Sequence, residues 1–375
     1  MHDNARTDYA ELLVCPVTKL PLTLMSRVEA ERKIGAELAT RGDLRNAKGE
    51  TSKPAGVTEN VYLRADLKLA YPSVDGIPVL LAPEALAAPS ELSQVDLSDR
   101  RYAEAYEEME FYNAAASGTH GKLDDGGAWS VLPTEMAATE DEIRSFPAPW
   151  YRWIDAPHDS AAQWDAYRHL GKMEGRRFLQ LGGSGTHAIK FAMAGAGESW
   201  LVTPMLGEAI FGRALAESAG VGDRFRAVVG IAEELPLGSD AFDGIFAGGC
   251  LHHMLTDIAL PEASRVLRNG GRFAAAEPWR APLYAIGTKI LGKREDAYCR
   301  PLNRTRVGPL KSAFSSFEVV GHGTLTRYPF LALEKFGVPI NKQVPWHIGR
   351  IDDAICSIIP GFRKMGSSVA VLATK

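Results

Sequence analysis

The sequence has few cysteines, no long apolar run and no recognisable targeting signal. Its cysteines form no Cys-x-x-Cys pair, so their spacing supports neither a disulfide framework nor a self-contained metal site. No window approaches the ~18 uncharged apolar residues of a membrane-spanning helix, and the first residues lack the basic and apolar regions of a signal peptide. These absences favour a cytoplasmic protein without a bound metal, in which four thiols are reduced: Cys15, Cys250, Cys299 and Cys356.

The overall composition is that of a large globular protein. The chain has 375 residues, of which 46% are hydrophobic and 23% charged, a balance that excludes disordered and collagen-like chains. Because a single core usually stops growing near ~250 to 300 residues, we expect two domains or one large decorated domain. The net charge of −4 is uneven, since residues 280–375 carry +9 and the others −13. The basic part favours an anionic substrate, or it balances the acidic part.

The amino-terminal segment has two motifs typical of a small β-rich module. It opens with Leu-Leu-Val-Cys-Pro at 12–16 and closes with Tyr-Pro-Ser-Val-Asp-Gly-Ile-Pro-Val-Leu-Leu at 71–81, in which Asp-Gly indicates a tight turn between strands. This pairing resembles the small zinc-ribbon-like proteins that activate tRNA and protein methyltransferases. Where that family has further cysteines, this chain has Thr18 and Arg64. The resemblance therefore implies a degenerate module without metal over residues 1–87.

Residues 88–165 are predicted to form a helical and aromatic bridge. A helix is indicated over 101–112, and the Gly- and Asp-rich runs that follow are typical of loops. A concentration of aromatic residues comes next, and it suits either core or interdomain packing or an aromatic wall for a substrate. These residues are Trp150, Tyr151, Trp153, Trp164 and Tyr167.

From residue 176 onward, extended and helical segments alternate. Strands are predicted at 177–181, 199–203, 225–229, 242–248 and 271–276, with helices at 187–194, 208–218 and 260–267. Such alternation predicts an α/β fold in which helices cover both faces of a parallel sheet and ligands bind at the carboxyl ends of the strands. Two further strands and two helices follow. We therefore expect a domain over 166–375 with a helical cap inserted around 280–365.

A glycine-rich turn and four later motifs carry the functional signal. The turn, Gly-Gly-Ser-Gly at 182–185, follows an apolar strand and opens a helix, so its backbone amides can approach a ligand. The later motifs are Ala-Glu-Glu-Leu-Pro at 232–236, Ser-Asp-Ala-Phe-Asp at 239–243, Leu-His-His at 251–253 and Arg-Val-Leu-Arg-Asn-Gly-Gly at 265–271. In this order they resemble the class I S-adenosylmethionine-dependent methyltransferases, especially the ubiquinone and menaquinone C-methyltransferase type. The resemblance implies a Rossmann-like sheet of seven strands and S-adenosyl-L-methionine as the cofactor.

The resemblance also implies a cofactor-binding set: Tyr112, Gln180, Gly182, Gly183, Ser184, Gly185, Thr203, Pro204, Met205, Ala232, Glu233, Gly248, Gly249 and Cys250. Three positions depart from the family pattern. Gln180 replaces an acid near the end of the first strand, and Ile231 replaces the acid near the adenine amino group. The acid that grips the ribose is missing at Thr203-Pro204-Met205, where Glu208 is the nearest carboxylate. These departures predict cofactor binding that is weak, shared with the amino-terminal module, or lost.

Three residues are candidates for accepting a proton from the methyl acceptor. His252 and His253 follow the fourth strand, and a histidine that titrates near pH 6.5 suits a phenol, thiol or amine. Glu277 ends the fifth strand. The alternative for each is a structural role in the surrounding loops.

We predict methyl transfer to a small-molecule acceptor that is anionic or aromatic. The arginine-rich run at 299–306 suits a clamp for a carboxylate or phosphate, although a solvated loop has the same pattern. One alternative is RNA methylation, because some ribosomal-RNA guanine methyltransferases carry an amino-terminal zinc module; the missing zinc ligands and the acidic overall charge count against it. The other is a non-catalytic chain that binds a partner through the retained fold. Neither membrane binding nor an oligomeric state is indicated.

Overall fold

A computed structural model describes residues 11–37, 57–87, 99–103, 105–106, 157–282, 284, 286, 289, 299–338, 343–359 and 361–375. This part of the chain forms a five-stranded amino-terminal sheet and a separate seven-stranded sheet. No helix within it is long and apolar enough to cross a lipid bilayer.

The amino-terminal sheet consists of antiparallel strands, namely β1 (Leu22–Ser26), β2 (Val57–Arg64), β3 (Leu69–Val74), β4 (Ile77–Pro78) and β5 (Leu86–Ala87). Helix α1 (Arg27–Glu37) follows β1. Asp75 and Gly76 have positive φ values of 50° and 76°. They form the predicted tight turn between β3 and β4.

The large sheet contains β6 (Arg177–Leu181), β7 (Glu198–Thr203), β8 (Phe225–Val229), β9 (Phe242–Gly248), β10 (Leu267–Pro278), β11 (Ser316–His322) and β12 (Ser368–Thr374). Its order is β11-β12-β10-β9-β6-β7-β8, and only β12 runs antiparallel to its neighbours. This is the predicted Rossmann-like α/β sheet. The strand order reverses between β6 and β9, so the carboxyl ends of these two strands border a crevice.

Helices and apolar side chains cover this sheet in two clusters. The helices are α2 (Ser160–Leu170), α3 (Thr186–Met193), α4 (Leu206–Ser218), α5 (Thr256–Val266), α6 (Leu310–Ala313), α7 (Arg327–Lys335) and α8 (Gln343–Ile358). Trp164 and Tyr167 are buried on α2, which packs against β10 and β12, so both serve packing. The predicted domain boundary at 165 falls inside this helix, because its apolar face belongs to the large sheet. Trp150, Tyr151 and Trp153 lie outside the described residues.

The amino-terminal module covers the edge of the large sheet. Its Leu80 amide donates to the carbonyl of Val229 on β8 at 2.8 Å, and Val79 forms a parallel bridge with the same residue. The amide of Val14 donates to the Pro236 carbonyl at 3.1 Å. Side chains from both parts share one apolar cluster. The exposed edge that β8 would otherwise present is thereby paired.

The single cysteine of this module lies beside an arginine. Cys15 is fully buried, and its Sγ lies 3.2 Å from the Tyr71 hydroxyl. Burial lowers the pKa of Arg64, but hydrogen bonds to Asp66 and Cys15 outweigh burial and raise it. The Arg64 guanidinium therefore stays charged beside Cys15, at the position where the sequence resemblance expects a further metal ligand.

A buried histidine connects three elements of the cap and the sheet. His322, at the end of β11, places Nδ1 2.7 Å from Asp353 on α8 and Nε2 3.0 Å from Asp165 on α2. Burial lowers its pKa, but the two carboxylates raise the pKa to about 9. The imidazolium therefore holds α2 and α8 against β11 at neutral pH.

This triad predicts a specific pH dependence of stability. Because the folded pKa of about 9 lies above the ordinary 6.5, the stabilisation is complete below pH 6.5 and is lost as the pH rises through 9. Urea denaturation across this interval should show a falling free energy of unfolding. His322→Gln should be less stable at pH 6.5 and should lose most of this slope. An equal slope in both proteins would contradict the assignment.

Candidate active site

A cleft lies at the carboxyl ends of β6, β7 and β9, where the strand order reverses. It is lined by Arg101, Ala105, Gly182, Gly183, Pro204, Met205, Glu208, Ile231, Ala232, Glu233, Gly248, Gly249, Cys250, His253 and Met254. Ten of these residues belong to the predicted site: Gly182, Gly183, Pro204, Met205, Ala232, Glu233, Gly248, Gly249, Cys250 and His253. The other predicted residues lie behind the cleft wall or outside the described residues.

The glycine-rich turn forms one wall of the cleft. Gly182 and Gly183 have φ values of 69° and 70°, which favour glycine. Gln180 is buried beneath them; its Nε2 donates to the Gly182 carbonyl at 2.8 Å and its Oε1 accepts from the Ala188 amide at 2.8 Å. Both ends of this amide are therefore used to hold the turn against α3. Gln180 supports the site from behind and does not line it.

Two predicted residues of the turn also face away from the cleft. A Cβ at Gly185 would lie 2.9 Å from the Phe225 ring, so this glycine permits close packing between α3 and β8. Ser184 does not line the cleft either. Its carbonyl oxygen lies only 2.4 Å from where a Cβ at Gly212 would stand, so α4 packs tightly against the turn.

The first turn of α4 brings an acidic residue that the sequence analysis did not include in the site. Thr203 is fully buried, and its Oγ1 lies 3.4 Å from the Met205 amide and from Glu208 Oε2. Pro204, Met205 and Glu208 line the cleft. Glu208, five residues after Thr203 and within the first turn of α4, thus brings a carboxylate to the cleft near the end of β7, where the family pattern has an acid.

The third wall combines apolar side chains with a structural carboxylate. Ile231 and Ala232 line the cleft beside Glu233. Glu233 Oε1 accepts from the Leu255 amide at 2.7 Å. Its carboxylate therefore anchors residues 249–255, which we call the cleft loop and which connect β9 to α5.

Glu277 anchors the other end of the cleft loop. It is fully buried, and its Oε1 accepts from the amides of Cys250 at 3.0 Å and Leu251 at 2.7 Å. Its Oε2 lies 2.7 Å from Nδ1 of His252. The role of proton acceptor considered for Glu277 is therefore replaced by that of loop anchor, because its oxygens are occupied and shielded from the cleft.

The two adjacent histidines face different surroundings. His253 lines the cleft, whereas His252 does not and is held by Glu277. Their ring centroids lie 4.0 Å apart with the planes inclined by 43°. Of the three residues considered for proton transfer, His253 is the one that the fold brings to the cleft.

The arginine-rich run holds the cleft loop from outside. Arg306 donates to the carbonyls of His252 at 3.0 Å, Met254 at 2.6 Å and Leu251 at 3.2 Å. Arg300 donates from its side chain to the His253 carbonyl at 3.3 Å. These contacts differ from both sequence interpretations, a solvated loop and an anion clamp, because backbone carbonyls take the guanidinium donors.

Residues 99–103 and 105–106 contribute a further wall that the sequence analysis missed. Arg101 and Ala105 line the cleft. The Arg101 side chain forms ion pairs with Asp99 and Glu234, each at 2.5 Å. The predicted helix over 101–112 covered these positions, but they carried no motif. Tyr112, the cofactor residue predicted there, lies outside the described residues.

A matched pair of glycines tests whether the cleft holds the cofactor. Gly249 and Gly220 have φ values of 64° and 73°, and a Cβ at either would meet no atom within 4 Å. Leucine at either position should cost a similar ~1–2 kcal/mol of stability. Gly249→Leu alone should weaken S-adenosylhomocysteine binding, by tenfold or more (about 1.4 kcal/mol), in calorimetry. Equal affinities of the two variants would remove the cleft loop from the cofactor site.

Comparisons with known proteins give one family match and several similar solved structures. Residues 181–275 match the family profile described as Methyltransferase domain. Solved structures similar to part of this chain include a geranyl diphosphate methyltransferase in complex with SAM (16% identity, covering 58% of this chain and 84% of that chain, TM-score 0.43). Another is the [4+2]-cyclase SpnF (23% identity, covering 58% of this chain and 80% of that chain, TM-score 0.41). A third is geranyl diphosphate C-methyltransferase from Streptomyces coelicolor A3(2), with 15% identity over 58% of this chain and 78% of that chain and a TM-score of 0.44. No curated protein matches the chain. The matched segment runs from the end of β6 into β10 and contains the glycine turn and the cleft loop, so this part of the chain is a methyltransferase domain.

Proposed function

We propose that this protein transfers a methyl group from S-adenosylmethionine to a small anionic or aromatic molecule bound beside the cleft loop. The observation that carries the proposal is the composition of the cleft within the methyltransferase domain. Glycine backbone, an apolar wall and the carboxylates of Glu208 and Glu233 meet at the carboxyl edge of the sheet. A site of a few polar groups in an apolar setting suits a small ligand.

The residues present fit an adenosyl cofactor. A Cβ at Gly182 would stand 2.9 Å from the Cys250 side chain, so a larger residue would fill the space between the turn and the cleft loop. A side chain at Gly249 would project into open space. The absence of side chains at these two positions leaves room for a ligand to approach the backbone of the turn and of the cleft loop closely.

Each wall of the cleft has a role in holding the cofactor. The Glu208 carboxylate would accept hydrogen bonds from the ribose hydroxyls, which replaces the acid missing at the end of β7. Ile231, Ala232 and Met205 would pack against the adenine ring through apolar contact. The Ile231 side chain cannot accept a hydrogen bond, so backbone carbonyls would have to accept from the adenine amino group.

The cofactor supplies a methyl group on a positively charged sulfur, which is already a good leaving group. The protein therefore has mainly to orient the acceptor, and correct orientation corresponds to effective molarities of ~10⁵ to 10⁸ M. His253 is the side chain of the cleft loop placed to contact the acceptor from the same side as Cys250. The segment that carries Arg101 and Ala105 would limit the access of water to the cleft. The same segment would restrict which acceptors can enter.

The finer family assignments are part of the proposal. We propose that the methyltransferase domain is of the ubiquinone and menaquinone C-methyltransferase type, and that residues 1–87 are a metal-free, zinc-ribbon-like module. The position of Arg64 beside Cys15 supports the latter, because a guanidinium supplies positive charge without further cysteines. The bridge over 88–165 and the cap around 280–365 would complete the enclosure of the acceptor.

An experiment with methyl-labelled S-adenosylmethionine tests the class of acceptor. The protein is incubated with a cell extract separated into small molecules, RNA and protein, and label should enter the small molecules. Label in RNA would support the alternative, which the structure favours less because Arg300 and Arg306 already donate to backbone carbonyls. Filter binding to bulk RNA at low salt should show no retention.

Glu208 offers a test of the cofactor-binding residues. Glu208→Gln should weaken S-adenosylhomocysteine binding by roughly 10- to 100-fold, because hydrogen bonds to a charged group contribute about 1.5–3 kcal/mol. Glu217→Gln is the matched control, since Glu217 is exposed at the far end of the same helix. Calorimetry should show unchanged affinity for the control. Unchanged affinity in Glu208→Gln as well would leave the ribose without the proposed partner.

A further inference from the structure

The cleft loop contributes to a cluster of metal-binding side chains. His252, His253 and Cys299 offer ligand atoms that all lie within 4.8 Å of one another, and the three residues are half-buried. The two histidines are neighbours in sequence, whereas Cys299 comes from the segment after β10. The Arg300 amide donates to the His252 carbonyl at 3.1 Å, and this backbone contact holds the thiol beside the imidazoles.

We propose that His252, His253 and Cys299 bind one divalent ion of the zinc type, with a fourth coordination position open toward the cleft. Two imidazoles and one thiolate are donors that zinc accepts, and three protein ligands with one open position are typical of catalytic zinc sites. Bonds of about 2.0–2.3 Å place tetrahedral ligand atoms about 3.3–3.8 Å apart. Small rotations of the three side chains therefore complete the geometry.

The surroundings of His252 support this assignment. Its Nδ1 lies 2.7 Å from a carboxylate oxygen of Glu277, which is fully buried. With Nδ1 engaged, Nε2 is the nitrogen that can bind a metal. A carboxylate behind a ligating histidine fixes the ring and strengthens the ligand, and it recurs in metal sites. Glu277 is therefore a positioning residue for the cluster as well as the anchor of the loop.

The donor atoms also determine which ions should bind. Mg²⁺ and Ca²⁺ require oxygen ligands, and the cluster presents none. Nitrogen and thiolate donors favour Zn²⁺ and Co²⁺. Arg300 and Arg306 donate to carbonyls of the same loop, and their positive charge repels a cation. An ion held mainly by electrostatic attraction is therefore disfavoured, and binding must depend on coordinate bonds to the nitrogen and sulfur atoms.

The open position defines the chemical class of ligand. His253 lines the cleft, so a ligand in that position would lie beside the cleft loop. A thiol suits a borderline-soft ion: its sulfur binds the metal and its proton is released to solvent, which leaves a bound thiolate at neutral pH. That this thiol is the methyl acceptor rests on the proposed function, whereas the metal site itself does not.

Cobalt(II) absorption tests the site directly. The full-length protein is freed of metal with a chelator, titrated with Co²⁺ and monitored for the thiolate-to-cobalt charge-transfer band in the near ultraviolet. We expect one Co²⁺ per chain, displacement by Zn²⁺ and no displacement by Mg²⁺ or Ca²⁺. Cys299→Ser should abolish the band, and Cys356→Ser should retain it because Cys356 lies on α8, outside the cluster.

A second variant separates a positioned ligand from adventitious binding. Glu277→Gln should weaken Co²⁺ binding by about 10- to 100-fold, with circular dichroism used to confirm that the fold is intact. Absence of the band, or an equal band in Cys299→Ser, would overturn the site. Binding of S-adenosylhomocysteine is measured in parallel. A protein that binds this product but not Co²⁺ refutes the metal site alone, and the reverse result refutes the proposed function alone.

Discussion

The buried carboxylate of Glu277 holds the cleft in shape. It accepts hydrogen bonds from three backbone amides of the cleft loop and contacts the His252 ring, and it has no exposure of its own. A buried charge is costly unless hydrogen bonds and an opposite charge compensate it. The loop can therefore lie over the sheet only where its amides converge on this residue. Glu233 and Arg306 fix the same loop through Leu255 and through three carbonyls. These contacts fix the backbone of the cleft loop at both ends and in its middle.

The amino-terminal module is part of the same structure through the edge of the sheet. An exposed β8 would offer unpaired backbone groups to other chains, and Val79 and Leu80 occupy them. Lys19 of the module also contacts Glu262 on α5 at 2.7 Å. A module fixed at two points on the domain can keep its own fold without a metal, because the shared apolar cluster supplies burial that a free module of its size would lack.

Local signals made most of the fold predictable. The runs at 177–181, 225–229 and 242–248 are apolar and follow turn residues, and they have the observed strand bounds. Helix α2 was missed although Trp164, Tyr167 and Leu170 share one buried face, because the strands that bury this face, β10 and β12, come from a distant part of the chain. Within the candidate site, the glycine turn was predictable since its conformation requires glycine. The sequence marks Glu208 only as the carboxylate nearest to the end of β7, and nothing in the neighbourhood of Arg101 indicates that its segment lines the cleft. Cys299 was not predictable either, because its position beside His252 depends on how the chain folds back after β10.

The Gln180 amide explains how the glycine-rich turn keeps its conformation without the acid that the family pattern has at this position. An ionised carboxylate can only accept hydrogen bonds, so in place of Gln180 it would oppose the Gly182 carbonyl, to which the amide now donates. It would also be a buried charge without a cation among its hydrogen-bond partners. The amide satisfies both neighbours without charge. Two carboxylates line the cleft: Glu208 at the first turn of α4, where the helix dipole favours an anion, and Glu233, which also anchors the cleft loop. Gln180 thus supports the turn without charge, and the contact proposed between Glu208 and the ribose does not depend on that support.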